Sequence, residues 1–244
     1  MDNKRFLYLI GIIFILLFTN ACGPESDGLS DDNFGDTVAI YSEDVSTSEE
    51  TLGEETFTYG PLPEGIIHKI TGLSYLENDN VSLDDLAYVQ ITHWGFDEDK
   101  HIGELIVNSQ VASDIVEIFR ELYDAGFQIE KMRLIDEYGA DDDLSMMDNN
   151  SSAFCYREVA GSKGKLSKHS LGLAIDINPV QNPYIKNDVI LPAIGGEYLD
   201  RENYRRGMII EGDSCYEAFI SKGWTWGGNW KTLKDYQHFE FDLP

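Results

Sequence analysis

Positive charge is scarce in this sequence. Eighteen Lys and Arg stand against 44 Asp and Glu, a formal charge of −26 over 244 residues, and no Lys or Arg lies between Arg5 and Lys69. A nucleic-acid binder needs clustered cations to displace the counterions on phosphate, so this composition excludes nucleic acid as a partner. Cysteine is sparser still. There are three, none at C-x-x-C spacing, which excludes a closed cysteine-rich zinc site. Long apolar runs are missing too: the longest, Phe6 to Phe18, falls short of the about 20 residues of a full membrane span. What remains is 42% hydrophobic and 12% aromatic, enough for the core of one good-sized domain with appendages.

That one apolar run is informative by its flanks. Lys4 and Arg5 precede it and Thr19-Asn20-Ala21-Cys22-Gly23 follows, the parts of an export signal. Ending on Ala-Cys-Gly, it resembles a bacterial lipoprotein signal. The resemblance implies a signal peptide over residues 1–21, a lipid on Cys22, and a protein anchored in the membrane by its N-terminus, at the outer face of the cytoplasmic membrane. Simple secretion is the alternative. Residues 22–55 are rich in Asp, Glu, Ser, Thr and Gly, too polar to offset the entropy of ordering, and they read as a self-repelling, disordered tether. Residues 56–244 are left as the folded domain. Cys155 and Cys215 form an even remainder, open to a disulfide or to a buried free pair.

Within the domain, Ser82-Leu83-Asp84-Asp85 fits a capping box opening a short helix through Leu86 and Tyr88. Residues 88–92 and 103–107 alternate like strands. Val111, Ile115, Ile118, Phe119 and Leu122 recur at helical spacing, with Gly126 placed to end that helix. Phe127 to Ile135 reads as a strand. Asp141-Asp142-Asp143 and Asp148 read as a solvated loop, since a calcium loop needs a spaced acid-Gly-acid pattern. Ser214 to Glu217 fits a capping box for a helix ending at Gly223.

The chemistry concentrates in two stretches. Ser167-Lys168-His169-Ser170-Leu171-Gly172-Leu173-Ala174-Ile175-Asp176 holds a His and an Asp seven residues apart, and Leu171, Leu173, Ile175 and Ile177 alternate with small or polar residues, so Asp176 lies on a strand. Near the C-terminus, Asp235-Tyr236-Gln237-His238-Phe239-Glu240 supplies another His with an acid three positions before it. Two imidazoles and a carboxylate make an open three-ligand zinc set, the catalytic kind. Glu240 reads as a residue orienting a ligand. His68, His93 and His101 read as packed or surface histidines. Trp224, Trp226 and Trp230 surround Gly227-Gly228, either as walls of a substrate groove or as core.

The pattern Ser-x-His-x-x-Gly-x-Ala-x-Asp, followed by Trp-Gly-Gly-x-Trp and then Asp-Tyr-Gln-His-Phe-Glu, resembles the D-alanyl-D-alanine carboxypeptidase family of zinc peptidases, which act on peptidoglycan stem peptides. The resemblance implies zinc on His169, Asp176 and His238, Asp235 as general base, Arg157 as the arginine that stabilises the developing oxyanion, and Ser167 near substrate. Trp226 and Trp230 are the candidate groove aromatics. The fold it implies is α+β, a small antiparallel sheet carrying the metal site with helices on its flanks, as in hedgehog-type and D-Ala-D-Ala peptidase domains. A D,D- or L,D-carboxypeptidase is the expected activity. An L-alanyl-D-glutamate endopeptidase is the alternative within that chemistry, and a non-catalytic wall-binding module the alternative outside it.

Overall fold

A computed structural model of the chain describes residues 55–159 and 162–244. The expected signal peptide, Cys22 and nearly all of the tether lie outside these residues. No helix among the described residues is long and apolar enough to cross a membrane.

The N-terminal part of the domain is a sheet with a helix laid on it. Strand β1 (Phe57–Pro61) leads through α1 (Glu64–Ile70) to β2 (Leu86–Trp94) and β3 (Lys100–Asn108), antiparallel in the order β1-β2-β3. The Ser82 capping box forms, with the Ser82 N–H donating to Asp85 at 2.8 Å. It closes only a 3-10 turn, Leu83–Asp85, and the expected helix gives way to strand at Leu86. Val89 and Ile91 are β-branched and fully buried, and nine residue pairs join β2 to β3. A helix here would forfeit that ladder, so pairing overrides the local cap.

Helix α2 (Ala112–Asp124) follows the predicted spacing. Ile115, Ile118, Phe119 and Leu122 are buried on one stripe, each contributing about 1.5–3 kcal/mol by leaving water. Gly126, at φ +69°, ends the helix. The strand expected over 127–135 is mostly irregular. Only β4 (Lys131–Met132) is regular, paired in parallel with β5 (Asn150–Ser151), and Ile135–Tyr138 curls into a 3-10 turn. The acidic loop likewise contains a helix, α3 (Asp142–Met147), capped by Asp141, whose carboxylate accepts from the Leu144 N–H at 3.0 Å. Three successive aspartates look like a solvated loop, yet acids at a cap and in a first turn suit the positive end of a helix.

Seven further elements complete the domain: β6 (Ala174–Asp176), β7 (Tyr184–Lys186), β8 (Val189–Leu191), α4 (Ser214–Ser221), β9 (Thr225–Trp226), β10 (Lys234–Asp235) and β11 (His238–Glu240). They form two small antiparallel sheets, β6-β11-β9 and β10-β7-β8. The cap of α4 is Asp213, accepting from Tyr216 N–H at 2.8 Å, rather than the expected Ser214. Cys155 and Cys215 are buried and unpaired.

One aromatic chain ties the helices to the C-terminal sheet. Phe119 of α2 meets Phe219 of α4 edge-on at 6.2 Å, and Phe219 stacks on Phe239 of β11 at 4.0 Å. Phe239 is the back of the strand whose neighbour residue is His238. The core therefore grips the site strand directly, and the mixed α and β architecture with small antiparallel sheets agrees with the expected class.

Candidate metal centre

Strand register places the candidate ligands. His238 of β11 stands directly opposite Asp176 of β6, and opposed residues of an antiparallel pair bring their side chains together on one face. His169 enters from a 3-10 turn, Lys168–Leu171, which Gly172 ends in the left-handed region at φ +66°. That glycine has no room for a side chain: a Cβ would sit 2.5 Å from the Asn108 nitrogen. The turn is thereby pressed onto the end of β3.

The three side chains converge. His169 Nε2 lies 3.2 Å from Asp176 Oδ2 and 3.3 Å from His238 Nδ1, and His238 Nδ1 lies 2.9 Å from Asp176 Oδ1. Two ligands on a tetrahedral zinc at its usual bond lengths of about 2.0–2.1 Å stand about 3.3 Å apart. All three residues are buried. They are the one grouping of His, Cys, Asp and Glu among the described residues with spacing suited to a metal ion.

Protonation follows from the outer partners. His169 Nδ1 is 2.5 Å from the carbonyl of Ala153. A carbonyl only accepts, so Nδ1 carries the proton and Nε2 presents a lone pair. His238 Nε2 faces Glu240 Oε2 at 3.3 Å, which places a proton on Nε2 and leaves Nδ1 to turn toward Asp176. With Nδ1 of His238 deprotonated, as a bound metal would require, two lone pairs and a carboxylate point at one spot. Burial pulls the His238 imidazole down, but Asp176 and Glu240 outweigh it and carry its pKa to about 10, so without a metal Nδ1 holds a proton that it donates to Asp176 and that a bound cation would displace. Burial also opposes ionisation of Asp176, yet the two histidines hold its carboxyl well below the usual range. These are the electrostatics of a cation site, and the donor set suits zinc.

Asp235 sits on β10, opposite Tyr184 of β7. Burial pushes its pKa up to about 6, with Asp176 adding to the rise and His238 opposing it. Its Oδ1 is buried with no hydrogen-bond partner among the described residues. Gly227 explains how β10 fits: a Cβ there would stand 2.5 Å from the Asp235 carbonyl oxygen. The glycine pair does permit close approach, though to β10 (Gly227) and to the Trp226 ring, which a Cβ on Gly228 would meet at 2.4 Å.

The aromatics divide. Trp226 is 5% exposed, packs with Phe239 and donates from Nε1 to the Tyr236 carbonyl at 2.8 Å. It is core, which corrects its candidacy as a groove residue; Trp224 is core as well. Trp230 is half-buried with its ring centre 5.4 Å from that of His238, beside the ligands. Ser167 is buried, and its Oγ accepts from the His169 N–H at 3.3 Å: it caps the turn that presents the ligand. Arg157 forms an ion pair with Asp142 at 2.9 Å. Burial works against its charge, but Asp142 and then Asp176 raise its pKa. His93 and His101 face each other across β2 and β3, His101 bound to Asp97 at 2.9 Å, outside the triad.

Two contributors carry no sequence signal of their own. The Ala153 carbonyl that sets the His169 tautomer is a backbone atom. Ser152 pairs with Asp176 in both directions, at 2.9 and 3.0 Å, as an isolated bridge outside any strand.

With this geometry established, comparison with known proteins adds one finding. Residues 160–241 match the family described as D-alanyl-D-alanine carboxypeptidase. No curated protein and no solved structure matches the chain. His169, Asp176, Asp235 and His238 all fall inside the matched segment, so the part of the chain that carries the candidate centre is the part similar to the D-alanyl-D-alanine carboxypeptidase family of peptidases.

Proposed function

We propose that the protein is a zinc-dependent peptidase that hydrolyses peptidoglycan stem peptides as a D,D- or L,D-carboxypeptidase. The observation that carries this reading is the convergence of His169 Nε2, Asp176 and His238 Nδ1, three basic atoms aimed at one point, beside the partnerless Oδ1 of Asp235. A zinc ion held by those three residues would supply a water acidified to near-neutral pKa and a Lewis acid for the scissile carbonyl. The protein's own groups do the rest. Asp235 takes a proton from water and returns it to the leaving amine, which balances the hydrolysis. Arg157 donates to the carbonyl oxygen as it becomes negative. Glu240 and the Ala153 carbonyl hold the two imidazoles in the tautomers the ligands need. Trp230 walls the approach.

The test is incubation of the zinc-loaded protein with defined muropeptides, read by mass spectrometry beside Asp235→Ala. Loss of one terminal alanine, absent in the variant, supports the carboxypeptidase. Release of a longer stem peptide assigns the L-alanyl-D-glutamate bond instead. No product despite full zinc occupancy points to a wall-binding module. We further propose that Cys22 carries a lipid that anchors the enzyme outside the cytoplasmic membrane; Cys22→Ser then moves it to the soluble fraction, and a variant that stays membrane-bound refutes the anchor.

A further inference from the structure

Arg157 is gripped at both ends. Its N–H donates to Ser170 Oγ at 2.8 Å, and its carbonyl accepts from Ser170 Oγ at 2.5 Å and from the Ser167 N–H at 3.1 Å. The backbone is thus clasped to the turn that carries His169. The side chain reaches the other way, to α3, where Nη2 lies 2.9 Å from Asp142 Oδ2. Its Nε is buried and has no hydrogen-bond partner among the described residues.

An ion pair still open to solvent, its side chains 30% and 32% exposed, contributes little to stability, so that is a weak account of this one. Its geometry has another consequence. A guanidinium is a rigid fork; with Nη2 occupied, its rotation is set and Nε–H is left as a free donor. A buried unpaired N–H in a folded protein calls for an acceptor that arrives later. Asp142 is itself well anchored. Its helix is capped by Asp141, and Ser145 of the same helix accepts from Asn150 Nδ2 at 3.0 Å. Asn150 lies two residues before Ser152, which pairs with Asp176. The acid that holds Arg157 is therefore tied to the segment that pairs with the strand of Asp176.

We propose that Asp142 is a positioning residue for Arg157, binding Nη2 so that Nε–H remains the donor offered to a substrate oxygen beside His169, Asp176 and His238. The substrate half of this inference rests on the peptidase reading above; the positioning half does not.

The experiment has two arms on the full-length, zinc-loaded protein. In a nitrogen-15 spectrum, the Arg157 Nε–H signal is assigned by its loss in Arg157→Lys. Asp142→Asn is expected to broaden that signal or speed its solvent exchange by about tenfold or more, and Asp142→Glu to restore it. In the second arm, Asp142→Asn lowers kcat on a muropeptide by about 10- to 100-fold with zinc content unchanged, and Asp142→Glu recovers most of it. An unmoved Nε–H signal in Asp142→Asn overturns the proposal. So does a moved signal with wild-type kcat, because the aim of Nε would then carry no chemistry. Wild-type protein without turnover, but with the Nε–H response intact, counts against the peptidase reading while the positioning of Arg157 stands.

Discussion

Gly227→Ala separates the proposed base, Asp235, from the proposed ligands. A methyl group at residue 227 would stand 2.5 Å from the Asp235 carbonyl oxygen and 2.9 Å from the Asp235 Cβ. Favourable heavy-atom contacts lie at about 3.5–4.0 Å, so in a close-packed interior β10 must retreat by about 0.5–1 Å. The backbone at Gly227 is not in the left-handed region, and the substitution therefore tests the contact alone. Overpacking of this kind costs about 1–3 kcal/mol of stability, which leaves the protein folded. Misplacing a reacting group by about 1 Å costs about 100-fold in rate. The ligands lie on β6, β11 and the turn before β6, outside β10, so zinc content should hold at one per chain. Turnover of a muropeptide and zinc by elemental analysis are measured together, with Gly65→Ala as the control, since a Cβ there meets nothing within 4 Å. Wild-type kcat in Gly227→Ala refutes the assignment of Asp235 as base, or the need for its seat. Lost zinc refutes the claimed independence of base and ligand strands.

Other expectations follow from the same geometry. His238→Ala abolishes stoichiometric zinc in elemental analysis, because it removes one of three donors. Glu240→Gln weakens zinc by about 10- to 100-fold in competition with a chelator, since a neutral amide holds the His238 Nε2–H less firmly. Stripping the metal lowers the melting temperature by about 5–10 °C, the effect of losing a ligand held at about 100 times its dissociation constant in a domain of this size; an unchanged melting curve speaks against a resident ion. Cys155 and Cys215 resist a thiol reagent in the native protein and react after unfolding, because burial pushes the Cys155 thiol up to about 11 and that of Cys215 well above its usual value; rapid native labelling at either refutes their burial.

The grouping of His169, Asp176 and His238 was legible because strand register and side-chain chemistry are both local properties. Alternation along 171–177 and 238–241 places Asp176 and His238 on polar faces without any knowledge of the fold. The 111–122 helix was legible for the same reason. Failures came where distant partners decide. The Ser82 cap is real, but whether helix or strand follows it depends on β3. Asp141 to Asp143 carry a helix whose formation needs Met146 and Ser145 buried against segments that sequence alone does not bring near. Trp226 and Trp230 are chemically alike and four residues apart, and only packing assigns one to the core and the other to the site. Net charge was silent on the centre too. The −26 of the whole chain has no counterpart in residues 160–241, where ten acidic residues meet ten basic ones, and screening confines an exposed charge to about 8–10 Å.

The matched segment begins at residue 160, yet the centre does not. Residues 150–157 run along the ligands and supply what the motif lacks. Ser152 fixes the register of Asp176, the Ala153 carbonyl takes the His169 Nδ1 proton, Cys155 N–H donates to the His169 carbonyl at 3.2 Å, and Arg157 brings the cation. The motif provides three donors, but a donor ligates only when its other nitrogen is protonated and its strand is held in register. A motif-bearing segment transplanted without 150–157 would keep every ligand side chain and still lose the tautomer of His169. The motif offers the donors for a metal, and the segment before it sets the tautomer and register those donors would need to hold one.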